Sequence, residues 1–406
     1  MRVVLFAGKG GVGKTTLAAA AAASLAADGR KVLVVSTDPA HSLADALDVA
    51  LGPEPSEVDA GLAASQVDLR ALLDSTWEQL RTHLGTLLAG AGVDEVLAEE
   101  LTVLPGLEEL LALAEVARMA RQGIWDVVVV DCAPTAESLR LLALPEAVST
   151  YLERLFPTHR RLVRGMLAGL AGSGSSPQRW DDAADAIGRL AEQLDSLRAL
   201  LADPQVTSLR LVLTPERVVA AETRRTVTAL TLLGIRVDGL IANRLVPAPA
   251  PSARGASAGW LRTRRDEQEA VIAALRADLP GVALSTVGHL AAEPVGLPAL
   301  LGLADQLGDG VDLLGEPRPG PPLLTVEHAC GRGLDGEYRL RVAVPLLDET
   351  EPELARVGDE LAVTAAGHRR LITLPSVLRR CVVTGAEVDA EGLLVTFRPH
   401  PALWMR

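Results

Sequence analysis

The stretch Gly8–Thr15 reads Gly-Lys-Gly-Gly-Val-Gly-Lys-Thr, and it decides the fold of the first part of the chain. It satisfies the pattern G-x-x-x-x-G-K-[ST], in which a glycine-rich loop lets successive backbone N–H groups face one anion. The apolar segment Arg2–Ala7 precedes this loop, and the alanine-rich segment Thr16–Ala27 comes after it. Strand, glycine loop and helix are the context that the pattern requires, so the stretch predicts a phosphate-binding loop.

The loop residues are expected to hold a nucleotide together with Mg²⁺. Lys14 should reach the β- and γ-phosphates, and the hydroxyl of Thr15 should bind the metal ion. The N-terminus of the following helix adds its dipole to the attraction for phosphate. The nucleotide-binding residues predicted in the loop are Gly8, Gly10, Gly11, Val12, Gly13, Lys14, Thr15 and Thr16.

Strand-like apolar segments alternate with helical segments through residues 1–315, which predicts an α/β domain with a doubly wound, mostly parallel sheet of the P-loop NTPase kind. Two helical stretches, about 60–122 and 145–202, exceed what such a sheet needs and predict an inserted α-helical subdomain. The further strands are predicted at Lys31–Val35, Asp126–Val130, Leu209–Leu213, Val237–Ala242 and around Val282–Val287.

The chain changes character at the proline- and glycine-rich segment 316–322, which predicts a linker between domains. Short strand-like segments separated by turn residues come after it, and they predict a small all-β sandwich over residues 323–400. These strands are predicted at Leu323–Glu327, Tyr338–Val344, Glu360–Thr364, Arg370–Leu374, Cys381–Thr384 and Leu393–Phe397.

The composition excludes several classes of protein. A hydrophobic content of 49% over 406 residues is enough for packed cores, which excludes global disorder. The net charge of −13 argues against nucleic acid as a partner, because phosphate backbones need a basic face. Only three of the 39 lysine and arginine residues are lysines, namely Lys9, Lys14 and Lys31. Three cysteines without a paired spacing, and no room for a signal peptide before the first strand, predict a reducing, cytoplasmic location.

Lys9 gives the loop a second lysine, so that the loop resembles the deviant Walker A motif K-G-G-x-G-K-[ST]-[ST]. In proteins with this motif, the first lysine crosses to the partner subunit and stabilises charge on the transferring phosphoryl group, as an arginine finger does. The resemblance therefore implies a homodimer with nucleotide at its interface and a catalytic role for Lys9. Glu216, which lies just after a predicted strand, is a candidate to pair with the partner subunit's Lys9.

Two groups of ATPases share this loop, and three further stretches distinguish between them. Ser36–Leu43, Pro105–Glu109 and Asp131–Arg140 resemble switch I, the Pro-Gly stretch ahead of switch II, and switch II of the ArsA/GET family, which includes arsenite-pump and tail-anchored-protein-targeting ATPases. The other group, the partitioning and cell-division ATPases, is disfavoured by the acidic charge and by the lack of a C-terminal basic amphipathic helix.

The resemblance to the ArsA/GET family assigns roles to individual residues. It implies that Asp38 orients or deprotonates the attacking water, that Asp131 holds Mg²⁺ through a water molecule, and that the nucleotide is ATP. The catalytic residues are then Lys9, Lys14 and Asp38, and the metal residues are Thr15 and Asp131. The implied switch residues are Asp38, Pro39, Asp131, Pro134 and Thr135, and the implied adenine-binding residues are Asn243, Pro294 and Val295.

The C-terminal β-domain resembles the α-crystallin fold of small heat-shock proteins, which occurs as a tail in one bacterial and plastid branch of the family. Other features depart from the family's pattern. Pro247–Arg265 has no cysteine, so the zinc site of the eukaryotic targeting factors is not expected, and no cysteine lies between Arg140 and Val326 to bind arsenite. Switch II has Ala136–Glu137 where relatives usually have Gly-His.

Three functions remain open on this sequence. The resemblance favours an ATP-hydrolysing homodimeric switch that acts as a chaperone or targeting factor for hydrophobic client polypeptides. An ATPase subunit that drives anion or arsenite transport with a membrane protein partner is the second. A regulatory nucleotide-binding scaffold with negligible hydrolysis is the third.

Overall fold

A computed structural model describes most of the chain. Pro39, Pro134, Thr135, most of the predicted helical subdomain and nearly all of the predicted linker lie outside the described residues. The described ranges are 1–38, 42–72, 107–132, 196–197, 199–308, 322–347, 352–365, 367–389 and 391–404.

The N-terminal part forms one large α/β unit. Its phosphate-loop segment lies between the first strand and the first helix, as predicted. The elements up to residue 131 are β1 (Arg2–Ala7), α1 (Lys14–Ala27), β2 (Val32–Ser36), α2 (Ser42–Leu47), β3 (Ser56–Asp59), β4 (Leu62–Gln66), α3 (Leu107–Ala120) and β5 (Val127–Asp131). The later elements are β6 (Thr207–Leu213), α4 (Arg217–Leu232), β7 (Val237–Leu245), α5 (Ala256–Asp278), β8 (Ala283–Gly288) and α6 (Leu297–Gly308).

These strands form an eight-stranded sheet in the order β3-β4-β2-β5-β1-β6-β7-β8. Every neighbouring pair is parallel except β3 and β4. The doubly wound, mostly parallel sheet is therefore confirmed, and the strands predicted for this part all occur in it. The phosphate loop comes directly after β1 in the middle of the sheet, where β5 and β6 lie on either side.

Alternating residues of the central strands face two apolar cores, one on each side of the sheet. In β1, Val3 and Leu5 pack with α3, α4 and α5, whereas Val4 and Phe6 pack with α1, α2 and α6. Ten of the 14 residues of α1 are buried, because this alanine-rich helix lies between the sheet and α6. A buried helix of this kind holds the phosphate loop firmly at its N-terminus.

The prediction of a helical stretch beginning near residue 60 is wrong at its start, because Leu62–Gln66 forms the buried strand β4. Its sequence, Leu-Ala-Ala-Ser-Gln, has a high helix propensity, but pairing beside β2 overrides that local preference. Helix α3 does fall within the predicted stretch.

The C-terminal part forms two antiparallel sheets that share one apolar core, which confirms the predicted all-β unit. Its elements are β9 (Leu324–Cys330), β10 (Glu337–Val342), β11 (Glu353–Val357), β12 (Glu360–Ala365), β13 (His368–Thr373), α7 (Ser376–Arg379), β14 (Cys381–Asp389), β15 (Gly392–Pro399) and α8 (Pro401–Trp404). One sheet has the order β14-β15-β10-β9 and the other β11-β12-β13. Strand β11 was not predicted, because Leu354 and Arg356 share its partly buried face, so its sequence has no alternation of apolar and polar residues.

The C-terminal end of α4 joins the two parts. Leu232 is fully buried in the core of the β-sandwich rather than in the core of the large sheet. The hydroxyl of Thr228 donates to the carbonyl of Pro345 at 3.0 Å, and the guanidinium of Arg370 donates to the carbonyl of Leu232. The β-sandwich therefore packs directly on a helix of the α/β unit.

Candidate nucleotide site

The phosphate loop needs glycine at two positions for steric reasons. A Cβ on Gly8 would lie 2.2 Å from the carbonyl oxygen of Val212 in β6, and a Cβ on Gly13 would lie 2.4 Å from the side-chain nitrogen of Asn243 in β7. Both glycines also have positive φ, at 146° and 94°. The loop thus curls tightly against the ends of β6 and β7, which fits the predicted role of its backbone.

The two lysines of the loop point in different directions. Lys14, which begins α1, is buried, and its Nζ lies 3.3 Å from the carbonyl oxygen of Lys9. The Nζ of Lys9 instead lies 2.9 Å from Oε2 of Glu222 in α4. The ammonium of Lys14 is therefore inside the loop, whereas that of Lys9 is on its outer surface.

A cluster of hydroxyl and carboxyl groups lies at the start of α1. Asp131, which ends β5, accepts hydrogen bonds on Oδ2 from Thr15 at 2.7 Å and from Ser36 at 2.9 Å. The hydroxyl of Ser42 lies 3.1 Å from that of Thr15. The other oxygen of Asp131, Oδ1, is buried and has no hydrogen-bond partner among the described residues. A buried carboxylate oxygen without a partner is where a cation or its bound water would fit.

Burial raises the pKa of Asp131 above its ordinary value of 3.8, and the nearby carboxylate of Asp38 adds to this effect. The hydrogen bonds from Thr15 and Ser36 and the charge of Lys14 act in the opposite direction. Burial is the largest of these effects, so the ionised form of Asp131 is disfavoured, and a nearby cation would stabilise it.

The backbone of Asp38 is fixed between β2 and β4. Its N–H donates to the hydroxyl of Ser36 at 3.2 Å, and its carbonyl accepts from Nε2 of Gln66 at 2.6 Å. The N–H of Thr37 donates to the carbonyl of Asp131 at 2.9 Å. These bonds place the predicted water-orienting residue at the same edge of the sheet as Thr15 and Asp131.

Asn243 fastens the end of β7 to the phosphate loop. Its Nδ2 donates to the carbonyl of Val12 at 2.8 Å, and its Oδ1 accepts from the N–H of Arg244 at 2.8 Å. Arg244 has a positive φ of 58°, which is uncommon outside glycine. The adenine contact predicted for Asn243 stays a prediction, but the structure places this side chain against the loop.

The other two adenine-binding residues predicted, Pro294 and Val295, lie in the loop between β8 and α6. Val295 is exposed, and the N–H of Gly296 donates to the carbonyl of Ala46 in α2. This loop is therefore held by the helix that comes after Asp38, and its adenine contact stays a prediction.

A cleft of about 630 Å³ lies next to Asn243, between α5 and the ends of β6, β7 and β8. Arg264 spans part of it and binds Glu216 of the same chain at 2.7 Å. Trp260 at its rim is 63% exposed. Glu216 is thus paired within its own chain, and its suggested contact with the partner subunit's Lys9 stays a prediction.

Several residues at this site were not singled out by the sequence, although they contact those that were. Ser36 and Ser42 belong to the switch I stretch, and their place in that stretch was the available signal. Gln66 and Glu222 lie far from the loop in the sequence and match no pattern.

Cys132, next to Asp131, is a buried thiol whose pKa is raised to about 12 by burial, so it stays protonated at neutral pH.

Known proteins share both parts of this architecture. Residues 1–309 match a family model described as anion-transporting ATPase, and residues 335–397 match that of an HSP20-like domain found in ArsA. A protein of Mycobacterium tuberculosis is 42% identical over 99% of this chain and 97% of its own length. A Chlorobaculum tepidum protein, whose name proposes an arsenical pump-driving ATPase, is 30% identical over 92% of this chain and 90% of its own length. The ATPase get3 of Aspergillus terreus is 29% identical over 61% of this chain and 74% of its own length.

Proposed function

Because the chain belongs to the ArsA family of anion-transporting ATPases, we propose that it is a homodimeric, Mg²⁺-dependent ATPase that acts as a nucleotide switch for hydrophobic client segments. One observation carries the ATPase part of this proposal. The hydroxyl of Thr15 lies 2.7 Å from Asp131, whose second oxygen is buried without a partner among the described residues. Hydroxyl and carboxylate oxygens beside a phosphate loop are the groups that Mg²⁺ prefers.

The proposed mechanism divides the work among four side chains. Lys14 holds the β- and γ-phosphates, Thr15 binds the metal ion, and Asp131 orients one of its water molecules. The metal ion, when bound, neutralises charge that develops on the phosphoryl oxygens. Asp38 orients the attacking water or takes its proton, and the bonds from Ser36 and Gln66 keep its backbone in place.

The proposal gives Lys9 a role in trans, in which it stabilises the transferring phosphoryl group bound to the partner subunit. Its support is the deviant Walker A motif and the position of the Lys9 ammonium outside the loop that carries it. The side chain is 52% exposed, so a second subunit could reach it.

ATP turnover and protein size test the ATPase part. We expect Asp38→Asn to abolish turnover while leaving ATP binding intact, and Lys9→Ala to slow turnover at the same protein concentration. If the wild-type protein turned over no faster than Asp38→Asn, the chain would be a nucleotide-binding scaffold. Sedimentation velocity with and without ATP and Mg²⁺ tests the homodimer.

The client part is supported by the HSP20-like match of residues 335–397 and by the similarity to an ATPase named get3. Its test is the suppression of aggregation of an unfolded apolar protein, measured with ATP, with ADP and without nucleotide. An intact dimer that suppresses no aggregation in any of these states would refute the client role.

A second candidate is an ATPase that drives anion transport, which the name of the Chlorobaculum tepidum relative supports. Stimulation of ATP turnover by arsenite or antimonite would favour it. We expect no stimulation, because no cysteine lies between Arg140 and Val326 to bind the metalloid.

Among the described residues, no helix has both the length and the apolar content needed to cross a bilayer. In the transport candidate, the ATPase would act together with a membrane protein partner. Co-purification with a membrane protein encoded by the same organism would test that arrangement.

A further inference from the structure

Lys9 and Glu222 form an ion pair within one chain. The Nζ of Lys9 lies 2.9 Å from Oε2 of Glu222, and the two side chains are 52% and 43% exposed. The backbone of Lys9 is fixed separately, because its carbonyl accepts from Lys14. The ion pair therefore decides where the flexible end of Lys9 lies, and it does so on an open surface.

The fold explains how a contact across 213 positions arises. Strand β6 lies beside β1 in the sheet and leads directly into α4, so the first turns of α4 stand next to the phosphate loop. Glu222 lies four positions after Val218 on this helix, and residues with that spacing share one helix face. Val218 is 72% exposed. The helix face next to Lys9 thus carries an exposed apolar side chain as well as the carboxylate.

We infer that Glu222 is a positioning residue that holds Lys9 on its own subunit and competes for it with the nucleotide of a second copy of this chain. The inference rests on the proposed function, because it takes the trans role of Lys9 as given. Lys9 must leave the Glu222 carboxylate to engage a phosphate across the dimer interface. Release of Lys9 is then part of dimer closure.

The competition is weak enough to be reversible. An exposed lysine–carboxylate pair shifts an equilibrium by about two- to fivefold. The phosphates of a nucleotide carry more negative charge than one carboxylate, so they win the exchange once they are within reach. Glu222 therefore sets a threshold for closure rather than blocking it.

The first experiment reads Lys9 directly in the full-length protein without nucleotide. Because the chain has only three lysines, lysine labelled with ¹³C and ¹⁵N gives three side-chain signals, which Lys14→Arg and Lys31→Arg assign. We expect Glu222→Gln to shift the Lys9 signal and to raise its rate of acylation by an amine-reactive reagent. The control Glu269→Gln removes an exposed carboxylate that pairs with Arg265 instead, and it should change neither.

The second experiment measures dimer formation by sedimentation velocity, with Mg²⁺ and a slowly hydrolysed ATP analogue. A two-fold dimer makes the exchange twice, so Glu222→Gln should lower its dissociation constant by about 4- to 25-fold. Glu269→Gln should leave the constant unchanged.

The outcomes separate this inference from the proposed function. An unchanged Lys9 signal and acylation rate in Glu222→Gln would overturn the inference, and so would a shifted signal with an unchanged dimer constant. If Lys9→Ala altered neither ATP turnover nor the dimer constant, the trans role of Lys9 itself would be refuted. A loss of ATP turnover in Lys9→Ala together with a tighter dimer in Glu222→Gln supports both the trans role of Lys9 and the inference about Glu222.

Discussion

The loop end of the large sheet buries Lys14, Ser36 and Asp131 close together, whereas the C-terminal β-sandwich buries His368 as its only polar side chain among the described residues. Ion pairs such as that of Arg341 with Asp389, at 2.7 Å, lie on the surface of the β-sandwich. The first region therefore concentrates buried polar groups at one place, whereas the second has an almost wholly apolar core.

Buried polar groups cost free energy unless they are paired, so a cluster of them persists where binding requires it. Asp131, with its raised pKa and its buried oxygen without a partner among the described residues, is such a group. In the β-sandwich, apolar burial accounts for the fold. The comparison predicts that substitutions at the loop end remove activity and that substitutions in the β-sandwich core remove stability.

The largest effect is expected from Phe397→Ala. This side chain is fully buried between the two sheets of the β-sandwich, so its loss should lower the free energy of unfolding by about 3–5 kcal/mol. Urea unfolding followed by fluorescence measures the change. The control Val326→Ala removes an exposed apolar side chain from the same sheet and should cost far less. Equal losses in both variants would contradict the assigned core.

The next largest effect is expected from Lys14→Ala, which removes the buried ammonium of the loop. We expect ATP turnover to fall by on the order of 10²–10³-fold, as when one preorganised charge-stabilising donor is lost. The free energy of unfolding should change little beside that of Phe397→Ala. Lys31→Ala is a matched control, since Lys31 is exposed and lies outside the loop. A comparable loss in that variant would show that the assay reports overall charge rather than the site.

Asp131→Asn should lower ATP turnover by about 10- to 100-fold, because this carboxylate is expected to act on the metal ion through water. Its raised pKa means that ionisation of Asp131 opposes folding at neutral pH, so the variant should be at least as stable as the wild type in the absence of Mg²⁺. Thermal unfolding with and without Mg²⁺ shows in each case whether the variant is more or less stable than the wild type. A variant that is less stable without the metal ion would contradict the burial argument.

The same raised pKa gives a pH prediction for the wild-type protein. The carboxylate of Asp131 gains its proton at a higher pH than an ordinary aspartate, so Mg²⁺ affinity should begin to fall while pH is still above 3.8. Mg²⁺ binding measured by titration calorimetry in the presence of an ATP analogue tests this. The Asp131→Asn protein should lose that pH dependence.

The smallest effect is expected from Asp389→Asn in the β-sandwich. Arg341 lowers the pKa of Asp389, so the pair stabilises the fold above the pKa of the unfolded aspartate, and this stabilisation is lost as pH falls through the folded value. Both side chains are partly exposed, so the loss should be no more than about 1 kcal/mol and should shrink in high salt. Urea unfolding at low and high salt measures it, and a salt-independent loss would refute the ion-pair explanation.

Most of the α/β fold could be predicted because its signals are local. The central strands β1, β2 and β5 are short β-branched runs, and the glycine loop after β1 fixes the start of α1. Strand β4 could not be predicted, since Ala63 and Ala64 favour a helix by themselves and form a strand only through pairing with β2.

The site shows the same division. Lys14, Thr15 and Asp131 sit in motifs whose spacing carries their chemistry, and the structure brings all three together. Glu222 could not be predicted, because its contact with Lys9 depends on β6 lying beside β1, which no periodicity encodes. The hydrogen bond from Gln66 to the carbonyl of Asp38 depends in the same way on β4 lying beside β2.

The burial of Leu232 in the β-sandwich has a consequence for engineering the chain. A truncation that removes the β-sandwich would expose this leucine and would remove the hydrogen bond from Arg370 to the last carbonyl of α4. The C-terminal unit is therefore not an interchangeable module. A chimaera with the sandwich of a relative should fold only if the donor supplies an apolar pocket for Leu232 and a side chain that replaces the Arg370 cap.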